Sequence, residues 1–231
     1  MDLPDDLRLP LERGEPYWYW LGGRPALDLV NTLRERWWRR VETLVTPADL
    51  ASWLVSARVA DAPPPAGPGD LERARALREA IDDAVVAAVA GRPGEAIDDA
   101  VVAAVAGRPV PDASVAALDA ALRRAPLRER VALDPAGAIA LDAGRDGAPV
   151  DRALAAVARD AVAMLGAAER DRVRICASDT CSARFFDRSP AGGRRWCSMR
   201  LCGNVAKARR HRHRRRRTAP GASPAEPRSS T

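Results

Sequence analysis

A mainly α fold is expected from this sequence: a helical N-terminal domain with one small β-hairpin, followed by a small C-terminal module built around cysteines. Three observations predict it. Apolar residues recur at three- and four-residue spacing, behind Pro, Thr and Asp helix starts, through most of the first 170 positions. All four cysteines fall in one stretch, between Cys176 and Cys202. Positive charge gathers in the same place: positions 184–217 hold thirteen Lys plus Arg against one acid, Asp187, whereas the whole chain carries only +6, so the rest is net acidic.

Positions 1–16 (MDLPDDLRLPLERGEP) read as a loose arm, with acids and prolines and no apolar run of the kind a secretory leader needs. The helical domain is expected over 17–171. Tyr17 to Leu21 alternates aromatic residues before Gly22-Gly23 and reads as a short strand or an extended cap on the core. Pro25 then opens a helix carrying Leu27, Val30 and Leu33 to about Trp38. Asp28 and Asn31, three apart, share a face of it. The pair either lines a ligand pocket or holds the N-terminal segment by hydrogen bonds; the second is the commoner role. Thr46-Pro47-Ala48-Asp49 starts a helix over 47–59, with Thr46 as cap and Asp49 at the positive end. Five of the six tryptophans precede residue 54 and read as core.

After the Pro/Gly connector 61–69, Asp70 is expected to cap a helix running to about Ala90. Within it begins an exact repeat: EAIDDAVVAAVAGRP occurs at 79–93 and again at 95–109. Two copies are too few for a repeat architecture. The second copy, a short helix over 95–106, is expected to be a tolerated insertion. A further helix spans 111–124. Arg130–Asp134 and Ala138–Asp142 flank Asp134-Pro-Ala-Gly137 and predict the hairpin. A helix over 149–170 follows, with Leu154, Val157, Ala161, Met164 and Leu165 inward.

Cys176 and Cys181 form one Cys-x4-Cys pair and Cys197 and Cys202 another, fifteen residues apart. Two such pairs, each near a turn, can present four thiolates tetrahedrally, as one structural zinc ion requires. Two disulfides or four unrelated thiols are the alternatives; a reducing compartment disfavours the first, and confinement of every cysteine to this stretch disfavours the second. Strands at 172–175 and 184–187 pair around the first cysteine pair, and a turn followed by a helix over 204–217, capped by Asn204, carries on from the second. This arrangement, over 172–217, is a treble-clef-like zinc finger; 218–231 is expected to be a disordered tail.

Local positive charge on a metal-fixed scaffold is the footprint of a polyanion site. Arg194 and Arg195 sit beside Trp196 and Cys197, and Lys207, Arg209, Arg210, Arg212 and Arg214 follow Cys202. With Asn204 these are the candidate nucleic-acid contacts. His211 and His213 lie inside the arginine run and read as solvated or phosphate-facing.

RRWCSMRLCGN followed by AKARRHR resembles the CGNR zinc finger of bacterial proteins, and the upstream Cys-x4-Cys fits. GGRPALDLVNT resembles the opening of the ABATE domain, which usually precedes that finger. The resemblance implies a transcription regulator that binds double-stranded DNA, with a helical domain that senses a small-molecule effector or forms a homodimer. One position departs: the signature arginine after Cys-Gly-Asn is Val205 here. A neighbouring arginine can replace a phosphate contact more easily than a base contact.

Enzymatic function is not expected. No phosphate loop, nucleophile elbow or HExxH occurs, and both histidines lie in the basic run. No run of eighteen apolar residues exists to span a membrane, so a cytoplasmic, nucleoid-associated protein is expected. The second functional reading is an adaptor whose body binds a ligand or protein and whose finger docks non-specifically on RNA or an acidic partner.

Overall fold

The structure is a computed structural model that describes residues 18–37, 39–90, 109–166, 168–178 and 181–208. The arm 1–16, nearly all of the second repeat copy, Arg209, Arg210, Arg212, Arg214, the helix beyond 208 and the tail 218–231 lie outside the described residues.

The expected mainly α architecture is present. In chain order the elements are α1 (Pro25–Val30), β1 (Leu33–Arg34), β2 (Val41–Glu42), α2 (Pro47–Ser56), α3 (Pro68–Val89), α4 (Asp112–Arg124), β3 (Leu127–Leu133), β4 (Ile139–Arg145), α5 (Pro149–Gly166), a 3-10 turn (Ala168–Arg172), β5 (Val173–Ile175), β6 (Arg184–Phe186) and a π-helical turn (Met199–Gly203). Among the described residues, six strands form three two-stranded antiparallel ribbons, β1-β2, β3-β4 and β5-β6.

The core is a helical one, with α3 at its centre packing on α1, α2, α4 and α5. Leu71, Ala74, Leu77, Ile81, Val85 and Val89 of α3 and Val150, Ala153, Leu154, Val157, Ala161 and Met164 of α5 fill it at three- and four-residue spacing. Residues 18–21 form no strand; the Leu21 N–H donates back to the Tyr19 carbonyl (2.8 Å), and Trp20 stacks on the fully buried Trp53 at 6.2 Å between ring centroids.

Several boundaries differ from the sequence reading. The first helix ends at Val30 rather than near Trp38, because Thr32 donates its hydroxyl back to the Leu29 carbonyl (2.7 Å) and the chain turns into β1. The β1-β2 ribbon, in which Leu33 pairs with Glu42 and Arg34 with Val41, was not expected. Its turn is reached with Glu35 (φ 49°) and Arg40 (φ 51°) in the left-handed region, where neither Gly nor Asn marks it. Thr46 caps α2 as expected: its hydroxyl accepts from the Asp49 N–H (3.2 Å) and the Asp49 carboxylate accepts from the Thr46 N–H (2.7 Å). Asp70 does not cap α3. The helix starts two residues earlier at Pro68, and the Asp70 carboxylate accepts from the Gly67 N–H at the cap position (2.8 Å).

The β3-β4 turn is the expected Asp134–Gly137. Asp134 Oδ1 accepts from the N–H groups of Ala136 (2.9 Å) and Ala138 (2.8 Å), and Gly137 supplies a φ of 81°. The ribbon is longer than read, seven residues in each strand, with Leu133 opposite Ile139 and Leu127 opposite Arg145. The last helix ends at Gly166, and a 3-10 turn leads without a spacer into β5.

Candidate metal centre and basic face

The β5-β6 ribbon brings the finger and the helical body together. Val173 pairs with Phe186, Arg174 with Phe185 and Ile175 with Arg184. Successive side chains of a strand point to opposite faces. Val173 and Ile175 therefore enter the core of the body, with Phe186 packed against it, while Phe185 enters a second cluster with Cys176, Cys197 and Cys202. One three-residue ribbon serves two cores.

Cys176 leaves β5 with its N–H donating to the Ala183 carbonyl (2.9 Å), and the next N–H, of Ala177, donates to the Arg195 carbonyl (2.8 Å), tying the two cysteine pairs together. On the far side, Ser198 caps the π-helical turn: its hydroxyl accepts from the Leu201 N–H (3.3 Å), and its carbonyl accepts from Cys202 and Gly203 (3.0 Å each). Cys197 thus precedes a helical turn and Cys202 lies in it. Asn204, expected as the cap, is instead helical, with its N–H reaching back to the Met199 carbonyl.

All four sulfurs lie within 4.8 Å of one another. Cys181 Sγ is 3.8 Å from Cys197 Sγ, which is 3.7 Å from Cys202 Sγ. Four thiolates held tetrahedrally at about 2.3 Å from zinc are about 3.8 Å apart. The spacing fits zinc and is far too long for a disulfide bond of about 2.05 Å. Hydrogen bonds from Cys181, Cys197 and Cys202 pull the Cys176 thiol below the ordinary cysteine range, and those with Cys176, Cys181 and Cys202 push Cys197 up. Sulfurs this close therefore share protons until a cation replaces them. The residues fit one structural zinc ion with four cysteine ligands, which would fix the two turns and leave no open position for a substrate.

The loop between the cysteine pairs is held by Asp187, fully buried. Its carboxylate accepts from the N–H groups of Ser189 (2.9 Å) and Arg194 (2.8 Å). Burial alone would raise this carboxyl; the hydrogen bonds from Arg194 and Ser189 outweigh it and hold it below the usual carboxylate range. Arg194 is turned inward. Its guanidinium donates to the carbonyls of Cys197 (2.7 Å) and Trp196 (3.3 Å) and lies 5.2 Å from the Phe185 ring centre. Arg195 is exposed, over the Trp196 ring at 5.4 Å. Asn204 and Lys207 are also exposed, on the helical residues 204–208 that continue the turn. Arg200, exposed on the turn itself beside Met199 and Leu201, was not singled out from sequence. Its position three residues after Cys197 is the signal that could have found it.

The structure also shows what Asp28 and Asn31 do. Asp28 accepts from the Gly22 N–H (2.8 Å), where the backbones approach so closely that a Cβ on Gly22 would sit 2.7 Å from the Asp28 nitrogen. Burial, chiefly, raises the Asp28 carboxyl to about 7. Asn31 makes a two-way bond with the finger: its amide donates to the Arg184 carbonyl and its oxygen accepts from the Arg184 N–H, both at 2.8 Å. The Gly22 carbonyl accepts from the Phe186 N–H (2.8 Å), and Arg36 N–H donates to Ser182 Oγ (2.9 Å).

A buried ionic network completes this seam. Arg184, its side chain 3% exposed, meets Asp82 of α3 at 2.6 Å. Asp82 also meets Arg36 (3.1 Å), which reaches Glu79 (2.7 Å). Arg78 bridges Glu42 at 2.7 and 2.8 Å. Glu79 and Asp82 both belong to the first copy of the repeat, which is therefore part of the body and of the seam. Sequence reasoning missed this network because directly bonded partners in it are up to 102 residues apart.

Two family models match the chain. Residues 23–168 match ABATE, described as "Putative stress-induced transcription regulator", and residues 172–215 match the CGNR zinc finger. A comparison with curated proteins finds no match. With the match covering more than half of its length, the chain belongs to the ABATE family and carries a CGNR zinc finger behind that domain.

Proposed function

We propose that this chain is a zinc-dependent DNA-binding regulator, acting by binding rather than catalysis, whose finger engages duplex DNA and whose helical body receives an effector or a second copy of the chain. One observation carries the reading: Arg195, Arg200 and Lys207 are exposed around a turn fixed by two cysteine ligands, and that turn leads straight into the arginine run of 209–217. Rigid, locally concentrated cations match a phosphate backbone, and their charge is not spread over the acidic remainder of the chain.

The parts divide the work. Arg194 positions the turn through its Nη2, which donates to the carbonyls of Cys197 and Trp196, and its half-buried guanidinium can add a phosphate contact. Arg195, Arg200, Lys207, Arg209, Arg210, Arg212 and Arg214 supply phosphate contacts, and Asn204, exposed on the first helical residues, is placed to read a base edge. Such a protein acts in the cytoplasm at the nucleoid. Among the described residues, no helix is long and apolar enough to cross a membrane.

Selection of genomic fragments by purified, zinc-loaded protein at physiological salt tests the reading. An enriched duplex motif is the expected result, and a two-fold motif would add a dimer. Binding with no enrichment over random DNA would overturn the regulator reading and leave a non-specific nucleic-acid adaptor.

A further inference from the structure

A cavity of about 190 Å³ opens at the seam, walled on the body side by Tyr19, Leu33 and Arg34 and on the finger side by Ala183, Leu201 and Cys202. It is smaller than the ~300–1,000 Å³ clefts that take drug-sized ligands, so it suits a small metabolite. Five of its eleven lining residues are aliphatic or aromatic; the others are the ligand cysteines Cys181 and Cys202 and the polar Asn31, Ser182, Glu35 and Arg34. Among the polar ones Arg34 stands out. Its guanidinium carbon lies over the Tyr19 ring, 3.9 Å from the centre. Its Nη1 is buried and has no hydrogen-bond partner among the described residues.

The other arginines of the seam have carboxylate partners, Arg36 in Glu79 and Asp82, Arg78 in Glu42 and Arg184 in Asp82. Arg36 Nε and Arg184 Nε also lack a hydrogen-bond partner among the described residues, but Arg34, half-buried, differs in having no carboxylate partner among them. Glu35, also in the wall, is engaged by Arg39 at 2.5 and 2.7 Å and makes no ion pair with Arg34 among the described residues. A buried donor on a cation with no acceptor is costly, which marks a place where an acceptor belongs. A guanidinium stacked on a ring keeps its edge open for two parallel hydrogen bonds to a carboxylate. One guanidinium edge, beside a carboxylate and two ligand thiolates in the same lining, suits at most one negative charge rather than a phosphate dianion.

We propose that this cavity binds a small apolar monocarboxylate, with Arg34 taking the carboxylate and Tyr19, Leu33 and Leu201 enclosing the apolar part. Leu201 and Cys202 belong to the turn that carries Arg200 and leads to Lys207, so the occupant touches the finger next to its basic face. Its role as the effector of a regulator rests on the DNA-binding reading; occupancy of the site does not.

The test is calorimetric titration of full-length, zinc-loaded protein with benzoate as probe, benzamide as the neutral comparator, and no DNA present. Benzoate is expected to bind near ~1 mM, in keeping with its few heavy atoms, and benzamide at least ~10-fold more weakly. Arg34→Met, which keeps an apolar chain over Tyr19, is expected to weaken benzoate ~10–100-fold. Leu201→Trp, at a half-exposed position on the opposite wall, is expected to abolish binding by filling the mouth. Zinc content and far-ultraviolet circular dichroism check that both variants fold. Equal affinity in Arg34→Met, equal affinity for benzamide, or no benzoate binding up to about ten times the expected constant would overturn the proposal. Because no DNA enters the titration, failure of this site and failure of the DNA-binding reading are separate results.

Discussion

The body and the finger are stabilised by different means. The body buries a continuous apolar core from α1, α2, α3 and α5, including Trp53, Ile81 and Met164, none of them reached by solvent. The finger's buried cluster is Cys176, Phe185, Cys197 and Cys202, three of the four being metal ligands. So little apolar surface cannot hold a fold unaided, and small modules of this kind draw their stability from the metal. Between the two lies a seam of hydrogen bonds and buried ions. The seam, together with Val173, Ile175 and Phe186 packed into the body core, should couple their unfolding, and damage to it should let the two unfold separately.

The sharpest break of that comparison is Cys197→Ser. It removes one of four ligands to a site whose metal contributes roughly 10–16 kcal/mol apparent. Zinc content should fall to near zero and the finger's ordered amide signals should collapse, while helical circular dichroism from α3 and α5 persists. Unchanged zinc content would contradict the assignment. Next in size is the seam. Asp82→Ala leaves Arg184 buried without its carboxylate, which costs about 3–5 kcal/mol for a buried pair broken on one side. The variant should retain zinc yet lose a single cooperative unfolding transition, as followed by chemical denaturation with separate probes for Trp53 and for zinc release. One coincident transition would show that Asp82–Arg184 does not couple the parts.

Asp28 sharpens the comparison through pH. Its folded value, near 7, exceeds the unfolded carboxylate value of about 3.9. The folded state therefore holds the proton more tightly between those values. The contribution from Asp28 is fully present below about pH 4 and is lost as pH rises through 7. Asp28→Asn keeps an acceptor for the Gly22 N–H and cannot ionise, so it should flatten that loss. Melting temperatures at pH 5 and pH 8 should differ less in the variant than in the parent; an equal difference would remove Asp28 as the cause. The smallest effect is expected at Val205, which is 43% exposed and can be enlarged without strain. Val205→Arg restores the signature arginine. It should tighten duplex binding a few-fold and steepen the salt dependence by about one unit.

Much of this architecture is readable in the chain. Helical spacing located α2 to α5 to within a few residues, and the Thr46 cap and the Asp134–Gly137 turn followed from side chains that bond their own neighbouring backbone. The metal centre was the plainest feature, because two Cys-x4-Cys pairs specify four ligands by local spacing alone. What stayed hidden depends on distant partners. The β1-β2 turn uses Glu35 and Arg40 in a conformation that their residue types do not signal. Asp82 reads as one more acid on an amphipathic helix until Arg184 is folded against it. Arg194, expected as a phosphate contact, also donates through Nη2 to carbonyls two and three residues away, while Asp187 holds its backbone, a structural part its residue type does not signal. Asn31 belongs to both halves because its side chain takes up both the N–H and the carbonyl of Arg184.

The most direct test of the account is fluorescence anisotropy of zinc-loaded protein on labelled duplex DNA across a salt series, compared with an Arg195→Ala, Arg200→Ala, Lys207→Ala variant. If about six phosphates are engaged, log K should fall against log[salt] with a slope near −5, and the triple variant should be shallower by roughly three units. Binding that ignores salt, or a triple variant with the parent slope, would contradict a metal-fixed basic face that engages DNA.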